Sequence, residues 1–401
     1  DEIANLHRLV YLDLASNALV KLPAMFWQLQ NLETLNLRAN RFRGLPETGE
    51  SIPVLQQLDL SENRIEYLPA CLGRMSALHR LDLNRNQVTQ LSREIANLDQ
   101  LNELNLSENQ LNQVSTALGT LVSLTNLDLS NNHLAGLPPE VGSLPNLTRL
   151  NLSNNLLENL PETTGSLEKL VFLFLRNNHL NHLPQSMQHL KSLLLADLSR
   201  NRFSAIPASL AQAPELRTLD LSDNQIEELD PAICNLEHLH SLYLGNNRIK
   251  NLPPEIGKLK SLVRLDLSRN QLTDLPPEIG ELSLLNALYL GDNRLSELSQ
   301  ALFKLRNLRL LSAWKNRISR LPTAIGQLKA LESLQLGGNL LRDLPEEIGE
   351  LEMLSELVLI NNKIESMPGG FSHLNHLMVF QIQGNPLAEA AQNTNPEESA
   401  E

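Results

Sequence analysis

The stretch Leu239-His-Ser-Leu-Tyr-Leu-Gly-Asn-Asn247 decides the fold. Its last residue recurs every 23 positions, at Asn17, Asn40, Asn63, Asn86, Asn109, Asn132, Asn155, Asn178, Asn201, Asn224, Asn247, Asn270, Asn293, Asn316, Asn339, Asn362 and Asn385, seventeen copies in one register. A fixed period of this size marks a stacked-repeat solenoid. Repeats are numbered here by their asparagine, with repeat 1 at Asn17. Leucine stands eight before the asparagine in all seventeen copies. It stands five before in all but two, Ala196 and Phe380, and three before in all but Ala313 and Ile382. In Leu262–Asn270 this spacing turns Leu265 and Leu267 to one face and Asp266 and Ser268 to the other. That period of two is a strand with a buried side. Strands of successive repeats are therefore expected to pair in parallel.

The asparagine closes each strand. Its amide offers two donors and an acceptor, enough to satisfy backbone groups of its own turn and of the neighbouring repeat. All ladder asparagines are accordingly read as structural. After it the chain returns along the outside, as in Leu252-Pro-Pro-Glu-Ile-Gly-Lys-Leu259. In the sixteen complete copies proline stands six after the asparagine except at Ser92, Ser115, Asp230 and Ser299, all helix N-cap types. A short 3-10 turn is expected there. A strand takes less width than a helical turn, so the stack should curve with its sheet concave.

The unit L-x-x-L-x-L-x-x-N-x-L-x-x-L-P-x-x-I-G-x-L-x-x resembles the leucine-rich repeat family over residues 1–387. Its spelling is similar to the cytosolic class found in Scribble, Erbin, Ras-suppressor proteins and bacterial effectors that act inside host cells. The resemblance implies an α/β fold, a right-handed, horseshoe-shaped solenoid of about 17 repeats, with a parallel sheet inside and 3-10 turns outside. It also implies protein–protein recognition, often in signalling. The segment Asp1–Leu9 copies the middle of a repeat, so a cap or further repeats are expected upstream. The polar, acidic tail 388–401 is expected to be disordered, or a short capping helix followed by disorder.

Composition narrows the partner. Net charge is −13, which disfavours nucleic acid and anionic membrane as general partners. No apolar run approaches the roughly 20 residues of a membrane span. The two cysteines, Cys71 and Cys234, lie seven repeats apart and cannot pair. With no cysteine-paired caps, a reducing, cytoplasmic setting is expected, or a host cytosol for a bacterial effector. The chain is expected to be monomeric. The sequence contains no phosphate-binding glycine loop, no H-E-x-x-H and no C-x-x-C, so no cofactor, metal or catalytic residue is assigned.

Seventeen internal copies supply a consensus, and departures from it locate the site. Four before the asparagine, on the outward face, ten repeats carry Asp or Asn. The exceptions are Phe174, Tyr243, Tyr289, Ser312, Gln335, Val358 and Gln381, all from repeat 8 onward. Phe172, Leu195, Leu310, Trp314, Ile360 and Val379 add outward apolar surface, and Trp314 follows the lost core leucine at Ala313. Only 14 residues in the chain are aromatic, so five facing outward is a concentration. Outward aromatics bring no core benefit, whereas aromatics beside arginine anchor interfaces. Arg176, Arg200, Arg264, Arg269 and Lys315 stand in the same repeats, and Arg202, Arg248, Arg294, Arg317 and Lys363 each follow a ladder asparagine. Pairing of these cations with acids such as Asp292 is the bland alternative.

The expected partner site, on the concave face of repeats 8–16, is therefore Phe172, Phe174, Arg176, Arg200, Tyr243, Arg264, Arg269, Tyr289, Asp292, Trp314, Lys315, Val358 and Ile360. Its occupant is expected to be a protein, apolar with an acidic rim, held by a non-catalytic scaffold. The second reading makes the chain the substrate-recognition arm of a larger enzyme, such as a ubiquitin ligase, kinase or GTPase.

Overall fold

The computed structural model describes residues 2–45, 52–68 and 70–393. They form two compact units, Asp1–Arg202 and Phe203–Glu401. In the first unit the strands run from Tyr11–Asp13 to Leu195–Asp197, each paired in parallel with the next. In the second they run from Thr218–Asp220 to Val379–Gln381 in the same way. Register is one repeat per strand: Leu265 lies beside Leu288, and Asp266 beside Tyr289. Each strand is three residues long, because only the stretch between its entry and the asparagine turn is extended.

One side of each sheet is the core. Leu262, Leu265 and Leu267 are fully buried, as are Leu124, Leu127 and Leu129 in the first unit. Each buried leucine contributes about 1.5–3 kcal/mol relative to exposure. The returns are 3-10 turns such as Pro254–Lys258 and Pro277–Glu281, entered from an extended proline. Three of the four N-cap substitutes act as expected: Ser92, Ser115 and Asp230 accept from the amides of Glu94, Ala117 and Ala232. Ser299 makes no such bond.

The ladder asparagines bind on both sides. Asn132 donates to Leu129 O and to Leu106 O of the preceding repeat, at 3.0 and 2.9 Å. Its Oδ1 accepts from the Leu111 amide of that preceding repeat at 2.9 Å. The residue just before is left-handed in repeat after repeat, with φ 54° at Asn131, 53° at Arg269 and 48° at Lys315. A non-glycine residue there costs about 1–2 kcal/mol, which the buried amide network offsets.

Thr164 is a mismatch within the core. It is fully buried at a position held by Val141 one repeat earlier, and its hydroxyl has no partner. An unpaired buried hydroxyl costs about 1–3 kcal/mol. Thr164→Val keeps the shape and is expected to raise stability by about 1 kcal/mol, read as a higher urea midpoint at unchanged slope. An equal or lower midpoint would refute the assignment.

In the second unit, Phe380 occupies the core register yet is 37% exposed, packed on Phe371 at 4.9 Å. An α-helix, Pro386–Asn393, follows, and Leu387 N donates to Ile364 O at 2.9 Å. Of the expected tail, residues 394–401 lie outside the described residues.

Candidate partner-binding face

The outward side of each strand is set by a second device. In Asp- and Asn-bearing repeats the carboxylate or amide four before the ladder stitches the strand exit. Asp59 Oδ1 accepts from Ser61 N at 2.9 Å and Ser61 Oγ at 2.6 Å. Asp266 does the same for Ser268, at 2.8 and 2.6 Å. The outward polar consensus is thus a turn cap, not decoration. Repeats with Tyr243, Tyr289, Gln335 or Val358 in that column have given up the cap.

These caps have a cost where they crowd. Asp59 and Asp82 are register neighbours, and burial first, then Asp59, pushes the Asp82 carboxyl up. Asparagines relieve the same crowding elsewhere: Asn151 donates to Asp128 at 2.9 Å.

In the first unit, Phe172 and Phe174 stand half-buried on the outward face. Arg149, from the preceding repeat, lies 5.8 and 4.6 Å from their ring centres. The sequence reading passed over Arg149; its place in the register, directly beside Phe172, was the available signal. Arg176 Nη1 donates to Ser199 Oγ at 3.1 Å, and Arg200 takes the left-handed position with φ 55°.

The other nine expected site residues lie in the second unit. Arg264 Nη1 donates to the Tyr243 hydroxyl at 3.1 Å. Trp314 lies back over the preceding repeat, where a Cβ on Gly291 would overlap its indole. Ile360 repeats the arrangement: a Cβ on Gly337 would sit 2.8 Å from Ile360 Cγ1. Lys315 leans the other way over Gly338, and its Nζ is 5.2 Å from the Trp314 ring centre. Val358 is half-buried one strand position before Ile360's turn. Arg269 and Asp292 hold left-handed turns, and the ion pair considered for Asp292 does not form among the described residues.

Outward side chains do pack on one another, and among the aromatics Tyr289 lies beside the buried Ser312, which qualifies the expectation above. Three small outward residues are buried beneath larger neighbours: Ala287 at 6%, Ser312 at 2% and Ser333 at 9% exposure. Ala287 is flanked by Arg264 and Leu310, Ser312 by Tyr289 and Gln335, and Ser333 by Leu310 and Glu356. Large and small alternate from strand to strand, so the large side chains fold over and form a thin outer layer. The result is a set of half-buried anchors held in place by glycine slots and small residues.

Among the described residues there is no group of three or more metal-ligating side chains, and no helix long and apolar enough to cross a membrane. Burial pushes the Cys234 thiol up to about 11, which leaves it protonated and unreactive at neutral pH.

The comparisons with known proteins agree with this geometry. A leucine-rich repeat region profile matches residues 1–116, a leucine rich repeat profile matches 122–180, 176–226, 237–295 and 283–341, and a two-copy profile matches 214–258. No curated protein matches. Among solved structures, an LRR protein of Leptospira interrogans is 32% identical with a TM-score of 0.85, over 94% of this chain and 97% of that one. The LRR ectodomain of the Arabidopsis thaliana membrane receptor kinase GASSHO1/SCHENGEN3 is 32% identical with a TM-score of 0.68, over 96% of this chain and 51% of that one. The Arabidopsis receptor kinase HAESA ectodomain, solved with a peptide hormone ligand, is 26% identical with a TM-score of 0.67, over 96% and 71%.

Proposed function

Because the chain belongs to the leucine-rich repeat family, we propose that it is a non-catalytic binding module that holds a protein partner on the outward sheet face of its second unit. Proteins of this family generally mediate protein–protein interaction. The observation that carries the reading is the seating of Trp314 on Gly291 and Ile360 on Gly337. A rigid, half-buried aromatic with a cation beside it is the composition of an interface hot spot, and its pre-ordering lowers the entropy lost on binding. Tyr243, Tyr289 and Val358, four before the ladder, and Arg264, six before it, extend the surface along the neighbouring outward columns. On the first unit, Phe172 and Phe174 with Arg149 form an aromatic and cationic patch. A ligand of peptide or protein chemistry also fits the comparison with HAESA, whose ectodomain was solved with a peptide hormone. A reducing compartment suits two free, buried thiols.

Hydrogen–deuterium exchange on the complex recovered with the full chain tests the reading. Added protection is expected in peptides covering 289–294 and 310–317. Protection confined to the 3-10 turns between 323 and 350, or to the strands of the first unit, would overturn it.

A further inference from the structure

We infer that the partner segment seated on the second unit is an extended acidic chain, with carboxylates along the line Arg269, Arg294, Lys315, Arg317 and Lys363 and apolar side chains on Tyr289 and Trp314. This rests on the proposed reading of that face as the binding site.

The charge distribution carries it. The chain has 46 acidic and 33 basic residues. Yet in repeats 12–16 the positions just before and just after the ladder hold five cations and one carboxylate, Asp292. None of the five cations forms an ion pair among the described residues. Other cations of the same unit do find acids: Lys260 pairs with Glu281 at 2.8 Å, Arg309 with Glu332 at 3.0 Å, Lys329 with Glu350 at 2.9 Å and, one after the ladder in repeat 11, Arg248 with Glu227 at 3.9 Å. In the first unit, Arg85, also one before the ladder, sits between Glu62 at 3.6 Å and Glu108 at 2.9 Å. Acids are therefore available to this fold at these columns, whereas repeats 12–16 carry only Asp292 there, and it pairs with neither Arg269 nor Lys315 among the described residues.

The strand exits add a second mark. In Asp-bearing repeats the amide two before the ladder is met by a carboxylate oxygen, as at Ser268. The amides of Trp314 and Ile360, in the same column, have no acceptor among the described residues. Dimensions also fit. Strands stand about 4.8 Å apart, so five repeats span about 20 Å, the length of about six extended residues. Lys315 over Trp314 brings a cation and an apolar anchor to one point, which suits a ligand alternating acidic and apolar side chains.

Fluorescence anisotropy with the full chain tests this. Three labelled peptides of about twelve residues share a Phe-x-Leu centre and carry Glu, Gln or Lys at the remaining positions. A thymidine oligonucleotide of similar length is the fourth probe. At about 50 mM salt, where screening is weak, the Glu peptide is expected to bind about tenfold tighter than the Gln peptide. That preference is expected to vanish in Arg294→Gln/Arg317→Gln/Lys363→Gln. Equal binding of the Glu and Gln peptides, tightest binding by the Lys peptide, preference for the oligonucleotide, or no Glu-peptide binding at about 1 mM would each overturn the inference. Tyr289→Ala/Trp314→Ala separates the two readings. If the Glu and Gln peptides bind equally and this variant loses both, the site stands and its acidic ligand falls. If the Glu preference survives in this variant, the acidic ligand stands and the aromatic anchor falls.

Discussion

Asn270→Leu is expected to lower the stability of the chain by about 3–5 kcal/mol. The wild-type amide donates to Leu267 O at 3.0 Å and Leu244 O at 2.9 Å, and accepts from Ile249 N at 2.9 Å. All three groups are buried, and leucine offers them nothing. Each orphaned group costs about 1–3 kcal/mol, and the isobutyl branch must also fit a slot shaped for a planar amide. A fourth, weaker bond to Ser268 O at 3.1 Å is lost as well, and two of the four partners lie in repeat 11, so much of the damage is inter-repeat. In a solenoid stability is close to a sum of units and nearest-neighbour interfaces, and weakening one interface uncouples the repeats beside it. A broadened, multiphasic urea transition is therefore expected. The chain contains its own control. Asn17 is exposed and bonds only within its own turn, to Leu14 O and Ala15 O at 3.0 Å each. Asn17→Leu should cost less than about 1 kcal/mol. Equal losses from the two substitutions would refute the interlocking role of the ladder.

The fold was almost wholly legible because its signal repeats. A single asparagine at a 23-residue period could be coincidence; seventeen in phase could not. Strand register, the leucine core and the turn entries at Ser92, Ser115 and Asp230 follow from column identity alone. The site was legible only in part. Reading each column separately finds Trp314, Tyr243, Tyr289 and Ile360 as exceptions, but not what receives them. Gly291, Gly337 and Gly338 matter because of a side chain one repeat away. Ala287, Ser312 and Ser333 are buried by residues on neighbouring strands. Arg149 was missed for the same reason: it belongs to an ordinary repeat and acts on the next. The outward Asp and Asn columns looked like a polar default because the bond they make is to a backbone amide two residues on, which no side-chain pattern displays. The consequence is that Tyr243 and Tyr289 each replace a turn cap, so the second unit gives up local stability at repeats 11 and 13.

That exchange is the basis of the functional reading. Trp314 and Tyr289 occupy neighbouring columns of adjacent repeats, and both are half-buried before any partner arrives. Truncating such anchors typically costs 2–4 kcal/mol of binding each when they stand at the centre of an interface, or about 100-fold or more together. Their folding role is smaller, since Tyr289 lies beside Ser312 and Trp314 covers Gly291 on the outward face, and neither fills the core. A stability loss of about 1–2 kcal/mol is expected, well below that of Asn270→Leu. A surface control removes general stickiness as an explanation: Leu284 and Met353 are 52% and 53% exposed, and neither stands in an outward strand column. The most direct measurement is the dissociation constant of the partner recovered with the full chain, taken for wild type, Tyr289→Ala/Trp314→Ala and Leu284→Ala/Met353→Ala, each shown folded by its urea transition. The account predicts a loss of about 100-fold or more for the first pair and no change for the second. Wild-type affinity in Tyr289→Ala/Trp314→Ala, or a larger loss in Leu284→Ala/Met353→Ala, would contradict it.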